Sequence, residues 1–513
     1  MAGNSFRLVQ GTRILVLSSD EQDRDSAELL AQELREVTGR KYRATNVGPT
    51  KASSAILIGR LIDARVKSLL HFDKFSIDDV PAEGYALEVT PSRIVIAGKD
   101  AAGVFYGVQT LRQLIVPTDR EAEVPGVRIR DWPALTYRGT QVDLSRGPAP
   151  KLDTLKRIVR SIAEFKMNQL NLYMEDSFPV EGQPLVGVLD EQLSKDDFMD
   201  LVSYARAYHV EIIPATEGCG HLHKILRFEL YSGMGERPRG HDLTPDGPDS
   251  ANYLGEFYSQ LDSVFVSSFS NIGCDETHEL GTGRSAARVQ QEAYGKVYLE
   301  SLRRAYKLER SHHKQVIFWG DMAVAHPEVI AELPKNIIVA TWEYFPHPSY
   351  ERWIQPFVGA GLEIIVCPWV GNTNLMIPNY DVAAYNIGNF IDEVKKAGAI
   401  GVNVTVWNDD GESLFAPNWW SIVYGAANAW EPKKTDVVEF DNKFDWAFYR
   451  NRDHRFTDAL KKLSHVHELF GRQGIKYVYS SDFGGANNRL FWHDPFGLEG
   501  RTMCKDCSRS RES

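Results

Sequence analysis

Eight short apolar segments recur between residues 134 and 430, and each is followed by a stretch long enough for a helix or an irregular connection. Residues 152–165 and 197–205 repeat apolar side chains at the spacing of an amphipathic helix, in the first two of these connections. Strands that alternate with helices form a parallel sheet. Eight such units predict an α/β fold of the (β/α)8 TIM-barrel type. The predicted strands are residues 137–144, 169–173, 210–214, 269–272, 316–319, 337–341, 363–366 and 401–406.

An open, doubly wound sheet is the alternative arrangement of the same units. Sheets of that kind that bind nucleotides carry a glycine-rich phosphate loop directly after a strand. None of the eight segments is followed by such a loop. The sequence therefore favours the closed barrel.

The chain has 513 residues, which is more than one barrel requires. Residues 1–133 contain several short apolar segments and a predicted helix at 101–115 that Asp100 can cap, so we predict a small N-terminal α/β domain. The proline-punctuated end of that region, residues 117–133, predicts a linker. Residues 134–430 are then the barrel. Residues 431–513 are charged and helical at first, and they predict a C-terminal helical extension with a helix at 458–470.

Charge and hydropathy narrow the choice of partners and location. The net charge is −11, so a polyanion would be repelled on average and we expect no nucleic-acid partner. No run of about 18 apolar residues is present, so we expect no insertion into a membrane. The first residues lack the pattern of a signal peptide. We expect a cytoplasmic protein, or a periplasmic or secreted one after removal of a signal, either monomeric or a homodimer.

The cysteines suggest neither a metal nor a redox centre. Cys219, Cys274 and Cys367 lie in or beside apolar runs and are predicted to be small core residues. Cys504 and Cys507 form an isolated pair in a polar tail, whereas a structural zinc site needs four ligands.

The residues that follow the predicted strands are mostly carboxylates and tryptophans. Active sites of barrels lie at the C-terminal ends of their strands. Carboxylates accept hydrogen bonds from sugar hydroxyls and transfer protons, while aromatic rings pack against a sugar ring. The pattern therefore predicts a sugar site. These strand-end residues are Asp143, Arg146, Glu175, Asp176, Glu217, His221, Asp275, Glu276, Trp319, Asp321, Trp342, Glu343, Tyr344, Trp369, Trp407, Asn408, Asp409, Asp410 and Glu412.

A metal site is the main alternative for clustered acids. His221 and His223 are two residues apart, which is the wrong spacing for two ligands on one face of a helix. We therefore predict no metal and no cofactor.

Several of these segments resemble the motifs of one enzyme family in order and spacing. Gly-Cys-Asp-Glu at residues 273–276 resembles the Gly-x-Asp-Glu signature of glycoside hydrolase family 20, the β-N-acetylhexosaminidases. Tyr-Arg-Gly at residues 137–139, followed by Arg146, is similar to the first-strand motif of that family. Residues 214–221 resemble its third-strand motif, in which Asp usually stands at the position of Glu217.

The resemblance implies an exo-acting, retaining enzyme that releases terminal β-linked GlcNAc or GalNAc from a glycan. In this family the 2-acetamido group of the substrate is the nucleophile, and an oxazoline-like intermediate forms. Glu276 would be the general acid and must carry a proton at the working pH. Asp275 would stay ionised, orient the acetamido N–H and stabilise the positive charge that develops there.

The resemblance also implies the substrate contacts. Arg138 would bind hydroxyls O3 and O4, although a salt bridge at the floor of the barrel is the alternative for this residue. Asp176 and His221 would tie the strand ends to Glu276. Asp410 or Glu412 would contact O4 and O6. The aromatic residues expected to line the pocket are Trp319, Trp342, Trp369 and Trp407.

One expected motif is missing. Many members of the family have Asp-x-Tyr after the seventh strand, and its tyrosine holds the acetamido oxygen, but residues 366–369 read Val-Cys-Pro-Trp. Either Tyr344 or Tyr380 replaces it, or the contact is absent. Two other functions stay open at this stage: a barrel exo-glycosidase with another sugar specificity, and an inactive glycan-binding protein.

Overall fold

The computed structural model describes residues 5–46, 54–72, 76–118, 121–187, 192–373, 375–409 and 413–465. The strands that precede the barrel are β1 (Phe6–Leu8), β2 (Arg13–Val16), β3 (Ala44–Asn46), β4 (Ala55–Arg60), β5 (Tyr85–Val89), β6 (Arg93–Gly98), β7 (Val116–Pro117), β8 (Ala122–Val124) and β9 (Arg128–Asp131). The helices among them are α1 (Glu21–Thr38), α2 (Ala64–Lys67) and α3 (Ala101–Leu114). One sheet has the order β3-β2-β4-β6-β5-β9, and a smaller one has the order β1-β8-β7.

The N-terminal α/β domain is confirmed, with one correction. Asp100 caps α3 as predicted, because its carboxylate accepts the backbone N–H of Gly103 at 2.8 Å. The predicted linker at 117–133 is wrong: β8 and β9 lie within it, and β9 pairs antiparallel with β5. The prolines of this stretch fall at or beyond the ends of the strands, where no ladder hydrogen bond is lost.

The predicted TIM barrel is confirmed: eight parallel strands close in chain order. Each lies within one or two residues of its predicted position. The closing pair, the first and eighth strands, puts Tyr137 opposite Gly401, where a Cβ would lie 2.3 Å from the Tyr137 Cβ, so only glycine fits. The strands are β10 (Tyr137–Asp143), β11 (Gln169–Tyr173), β12 (Glu211–Ala215), β13 (Phe269–Asn271), β14 (Gln315–Trp319), β15 (Ile338–Trp342), β16 (Glu363–Cys367) and β17 (Gly401–Val406).

Helices cover the outside of the barrel and continue beyond it. Those of the barrel are α4 (Leu152–Glu164), α5 (Lys195–Arg206), α6 (His223–Leu226), α7 (Pro248–Val264), α8 (Ala286–Glu292), α9 (Tyr294–Ser311), α10 (Asp321–Ala325), α11 (Glu351–Gly359), α12 (Tyr380–Ala397) and α13 (Trp419–Trp430). Short 3-10 helices lie at Glu229–Met234, Pro327–Glu332 and Ala416–Asn418. Two more helices follow, α14 (Val437–Tyr449) and α15 (Arg455–Ser464).

The C-terminal helical extension is seen in α14 and α15. The helix predicted at 458–470 begins earlier than expected, at Arg455, and its last residues lie outside the described part of the chain, as do Cys504 and Cys507. The exact domain limits at 133/134 and 430/431 stay predictions. Among the described residues, no helix is both long and apolar enough to cross a membrane.

Candidate active site

The loop after β13 carries Asp275 and Glu276 in an unusual backbone conformation. Gly273, Cys274 and Glu276 have φ values of +67°, +70° and +44°. Residues other than glycine rarely adopt this left-handed backbone conformation, and each such residue held in it costs about 1–3 kcal/mol. The loop therefore needs support from its surroundings.

Three side chains hold this loop by hydrogen bonds. The Glu217 carboxyl accepts the Cys274 N–H at 3.3 Å, and the Tyr298 hydroxyl donates to the Cys274 carbonyl at 2.9 Å. The Asp321 carboxyl accepts the Glu276 N–H at 3.0 Å. Gly273 is needed here because a Cβ would lie 2.2 Å from Glu217 Oε2. Glu217, longer by one methylene than the expected Asp, thus braces the loop.

A disulfide between Cys219 and Cys274 joins the loop after β12 to the loop after β13. The prediction that both are separate core thiols is wrong: both are buried, but they are bonded to each other. Cys367 is a buried free thiol. The bridge connects the segments that carry His221 and Asp275, so it fixes two parts of the site relative to each other.

His221 contacts both carboxylates of the pair. Its Nε2 lies 3.4 Å from an Asp275 carboxylate oxygen and 3.2 Å from a Glu276 carboxylate oxygen. Burial disfavours the charged ring, but the negative charge of Asp275 and hydrogen bonds to both carboxylates outweigh it and raise the pKa of His221 to about 12. His221 is therefore an imidazolium that donates to the pair at neutral pH.

The two neighbouring carboxylates have different environments. The Asp275 side chain is 11% exposed and the Glu276 side chain is 40% exposed. Burial opposes the ionisation of Asp275, but the charge of His221 and its hydrogen bond lower the pKa of Asp275 below its usual range. Asp275 is thus a buried anion, whereas Glu276 reaches toward solvent at the mouth of the barrel.

Two more acids lie behind the pair, and their surroundings disfavour ionisation. Burial, followed by the charge of Asp275, raises the pKa of Asp321 well above its usual range, and the same two causes act on Glu217. Ionisation of Asp321 and Glu217 is therefore disfavoured beside Asp275, whereas that of Asp275 is favoured by His221.

Aromatic rings form one wall of the site. Trp342 stacks on Tyr344 at 5.0 Å, Tyr344 lies 5.8 Å from Trp369, and Trp319 lies 6.1 Å from Trp407. The Trp407 indole N–H donates to the Tyr344 hydroxyl at 2.8 Å. The structure thus brings the five predicted aromatic residues together, and it places the Tyr344 hydroxyl at the strand ends with them.

Arg146 is a cation at the mouth of the barrel. Its guanidinium donates to Glu175 at 3.0 Å and to the Tyr173 hydroxyl at 3.1 Å, and it also contacts Asp409. It lies 5.3 Å from the Trp407 ring. Arg146 therefore links the loop after β10 with the ends of β11 and β17.

The predicted role of Arg138 in binding substrate is wrong. Arg138 is the second residue of β10, so it lies at the opposite end of the barrel from Glu276. Its guanidinium pairs with Glu83 of the N-terminal domain at 2.8 Å, and it donates to the Tyr106 hydroxyl at 2.9 Å. The alternative prediction, a salt bridge at the floor of the barrel, explains this residue, and the partner in that salt bridge is Glu83.

Replacing Arg138 with Met should lower stability and leave catalysis largely intact. Arg138 is 1% exposed and Glu83 is 21% exposed, so the variant removes a buried pair. We expect the free energy of unfolding to fall by about 3 kcal/mol, near the lower end for such a loss because Glu83 keeps some access to water. Urea denaturation measures it. A large fall in kcat/KM at unchanged stability would contradict this assignment.

Other predicted positions lie apart from the pair or outside the described residues. The Asp176 carboxylate is 3.7 Å from Lys224 and lines a cavity of about 280 Å³ between two loops. Its neighbour Glu175 faces the barrel interior, and Asp176 therefore faces the other way, toward Lys224. The prediction that Asp176 supports Glu276 is wrong. The Tyr380 hydroxyl donates to the Pro417 carbonyl in the helical layer and is also away from the site. Asp410 and Glu412 lie outside the described residues.

Two groups among the described residues bring three potential metal ligands within 4.8 Å of one another. One is His221 with Asp275 and Glu276, in which the imidazolium already supplies a positive charge. The other includes Asp262 and lies at the opposite end of the barrel, where the Lys314 ammonium outside the group is 3.1 Å from the Asp262 carboxylate. Both groups are ion-paired internally. The remaining members of the second group are Glu309 and His312.

Several residues of the site follow predicted strands but had no assigned role. The only sequence feature that could have identified them is their position, because each follows a predicted strand directly, as the assigned acids do. These residues are Arg146, Glu175, Asp321 and Asp409. His241 and Asp242 had no such signal, because they follow no strand.

A closed barrel that holds a buried carboxylate, an exposed one and an aromatic wall at one end has the groups that a glycoside hydrolase requires. Two family models match the chain: "Glycosyl hydrolase family 20, domain 2" over residues 1–132 and "Glycosyl hydrolase family 20, catalytic domain" over residues 135–408. The chain belongs to glycosyl hydrolase family 20.

Individual relatives agree with the family. A beta-hexosaminidase of Porphyromonas gingivalis is 25% identical over 360 residues, which are 62% of this chain and 44% of the relative. A beta-N-acetylhexosaminidase of Cellulomonas fimi is 22% identical over 65% of this chain and 71% of its own. The chain spans about half the length of the relatives from P. gingivalis and Akkermansia muciniphila, 44% and 48%.

Solved structures confirm the fold. The structure of a chitobiase from Flavobacterium johnsoniae superimposes with a TM-score of 0.70 at 18% identity, covering 94% of this chain and 74% of that one. A mutant beta-hexosaminidase of Streptomyces plicatus in complex with GlcNAc superimposes with a TM-score of 0.64, covering 94% of both chains at 18% identity.

Proposed function

We propose that this protein is an exo-acting, retaining β-N-acetylhexosaminidase that releases terminal β-linked GlcNAc or GalNAc through an oxazoline-like intermediate. The observation that carries the proposal is the division of labour within the Asp275–Glu276 pair. One carboxylate is a buried anion paired with His221, and its neighbour reaches the mouth of the barrel. Substrate-assisted hydrolysis requires these two groups and no protein nucleophile.

Glu276 is placed to act as the general acid. In the first step the acetamido oxygen attacks the anomeric carbon, the glycosidic bond breaks, and Glu276 gives its proton to the departing oxygen. In the second step water attacks the same carbon, Glu276 accepts a proton from it, and the ring of the oxazoline opens. The two attacks occur on opposite faces, so the β configuration is retained.

Asp275 is placed to act on the acetamido group itself. As the carbonyl oxygen attacks, positive charge develops on the acetamido nitrogen. A fixed, buried anion that accepts the N–H stabilises this charge without reorganisation of solvent. The opposite shifts favour this role, because His221 lowers the pKa of Asp275 while burial raises the pKa values of Asp321 and Glu217.

The aromatic wall and Arg146 are suited to bind the sugar ring. Trp342 is partly exposed and offers an apolar face for the sugar ring or the acetamido methyl group, while the buried rings of Trp319 and Trp407 complete the aromatic cluster at the strand ends. The Arg146 guanidinium, fixed by Glu175 and Asp409, presents N–H donors at the strand ends for sugar hydroxyls. Tyr344 is the tyrosine placed to replace the missing one after β16.

Replacing Arg146 with Met should weaken substrate binding. A hydrogen bond to a charged group contributes about 1.5–3 kcal/mol, which corresponds to about a 10-fold to 100-fold change in affinity. Contacts to hydroxyls act in the ground state and in the transition state alike, so we expect the loss mainly in KM. Initial rates with an aryl β-GlcNAc measure it. An unchanged KM would contradict the role of Arg146.

The test of the function is a comparison of substrates. Aryl β-GlcNAc and aryl β-GalNAc should be hydrolysed, and the matching β-glucoside, which lacks the acetamido group, should not. Equal hydrolysis of the glucoside would favour an exo-glycosidase of another specificity with a protein nucleophile. No release from any of these sugars would favour an inactive glycan-binding protein.

A further inference from the structure

The ring nitrogen of His221 that faces away from the carboxylate pair meets a second histidine. His221 Nδ1 lies 3.2 Å from His241 Nε2, and the two ring centroids are 4.5 Å apart. His241 Nδ1 lies 2.6 Å from an Asp242 carboxylate oxygen. His221, His241 and Asp242, here called the imidazole chain, therefore extend from Glu276 into the loop between the 3-10 helix at 229–234 and α7.

The hydrogen bonds of the imidazole chain are consistent in direction. His221 is an imidazolium, so both of its ring nitrogens donate. Nε2–H points to the carboxylate pair, and Nδ1–H points to His241 Nε2, which must then be an acceptor. His241 consequently carries its proton on Nδ1 and donates it to Asp242. The His221 backbone N–H lies 3.3 Å from the same nitrogen, a weaker contact than the 2.6 Å bond, so the carboxylate decides the tautomer.

The far end of the imidazole chain is anchored to the same loop that carries the acid. Asp242 accepts the backbone N–H groups of Glu279 and Leu280 at 2.7 Å and 3.1 Å. In return, the Glu279 carboxylate accepts the backbone N–H of His241 at 2.6 Å. The Asp242 carboxylate is buried, 1% exposed, so its position is well defined. The imidazole chain and the loop of Glu276 thus brace each other.

The acids at the end of β11 are engaged elsewhere. Glu175 accepts hydrogen bonds from Arg146 and from the Tyr173 hydroxyl, and Asp176 is next to Lys224. The side chain that contacts His221 Nδ1 is instead that of His241, which lies 20 residues further along the chain.

We infer that His241 and Asp242 are positioning residues for the general acid: they hold His221 as an oriented donor against Glu276. The inference rests on the proposed function. When Glu276 gives up its proton, a carboxylate forms beside a fixed imidazolium, which stabilises it. The other ionisable groups that face His221 are Asp275 and Glu217, and their geometry is set by the disulfide-linked loops rather than by His241.

Replacing His241 with Phe tests this role. The phenyl ring keeps the packing against His221 but removes the acceptor for Nδ1–H. We expect kcat/KM to fall by about 10-fold to 100-fold for β-GlcNAc substrates with poor leaving groups, a part of the ~10²–10⁴ that acid catalysis contributes. For the most activated leaving group, which needs little protonation, we expect less than about a 3-fold fall. The dependence of rate on leaving-group acidity should therefore become steeper.

Two further variants separate positioning from structure. His241→Gln retains an oxygen that can accept from His221, so it should recover part of the lost rate. His223→Phe is the matched control: the His223 ring stacks parallel to that of His241 at 6.0 Å, and its replacement should leave the leaving-group dependence unchanged. Equal losses on every substrate in His241→Phe, or the same steepening in His223→Phe, would overturn the inference.

Nitrogen NMR of the ¹⁵N-histidine-labelled full chain tests the imidazole chain without substrate. We expect His221 to show two protonated ring nitrogens at pH 8, with a slowly exchanging Nδ1–H that is lost in His241→Phe. A neutral His221 in the unsubstituted protein would overturn the inference even if the enzyme is active. Absence of β-GlcNAc turnover by the unsubstituted protein would instead overturn the proposed function, and with it the role of the imidazole chain in catalysis.

Discussion

Asp275→Asn should lower kcat/KM by about 10²–10³-fold, and it should do so with activated and unactivated leaving groups alike. The expected size is that found when one preorganised electrostatic partner of a transition state is removed. The substitution keeps the shape of the side chain but removes the charge that we propose stabilises the acetamido nitrogen. The acetamido oxygen attacks the anomeric carbon as each leaving group departs, so a better leaving group should not restore the rate.

A matched control exists at the other end of the barrel. Asp262 is also buried and paired with a histidine: its carboxylate is 10% exposed and lies 2.6 Å from His312. Asp262→Asn makes the same chemical change in a similar environment, far from the sugar site. We expect it to lower the midpoint of thermal unfolding while kcat/KM stays near that of the unsubstituted enzyme. Full activity in Asp275→Asn would contradict the role of Asp275.

Glu276→Gln should abolish most turnover of substrates with poor leaving groups and spare activated ones. The amide has nearly the same size but no transferable proton, so the expected loss is that of general acid catalysis, about 10²–10⁴-fold. A nitrophenyl or fluoride leaving group departs without protonation, so its rate should fall much less. Initial rates with a graded series of aryl β-GlcNAc substrates measure the difference.

The pH dependence of kcat/KM is a second test of the role of Glu276 with the same variant. Activity on poor leaving groups falls at high pH when the general acid loses its proton. In Glu276→Gln this alkaline limb of kcat/KM should disappear, because the variant has no proton to lose. An alkaline limb that persists unchanged would assign the acid to another residue. Since Asp275→Asn affects all leaving groups and Glu276→Gln only some, the two variants together distinguish the two roles.

The barrel was predictable because its signal is local and repeated. Each strand is a short apolar run, and each connection is long enough for a crossover, so eight weak signals support one architecture. The same reasoning placed Asp275 and Glu276 at a strand end. It failed at 117–133, where the prolines were interpreted as a linker although they lie outside β8 and β9.

The side-chain partners were harder to predict, because they depend on which end of a strand a residue occupies. Arg138 and Arg146 belong to the same motif, eight positions apart. One enters β10 at the floor and pairs with Glu83, and the other leaves it at the mouth. Whether a residue lies at the start or at the end of a strand thus separates the structural pair of Arg138 from the proposed substrate contact of Arg146.

Contacts between distant loops had no signal in the sequence. Cys219 and Cys274 are 55 residues apart, and nothing in their flanking residues distinguishes a bridged pair from two core thiols. His241 follows no strand, so the positional rule did not select it. Both features become visible only when the barrel brings the loops after β12 and β13 together.

The central claim is that the substrate's own acetamido group is the nucleophile, and a series of N-fluoroacetyl substrates tests it most directly. Fluorine withdraws electrons from the carbonyl and weakens its attack, while the glycosidic bond and the leaving group stay the same. We predict that kcat/KM for aryl 2-acylamido-β-glucosides falls steeply from acetyl through monofluoroacetyl and difluoroacetyl to trifluoroacetyl. The first step of the series and the last step should each lower kcat/KM by about 10-fold or more. A rate that is independent of fluorination would contradict substrate assistance and point to a nucleophile supplied by the protein.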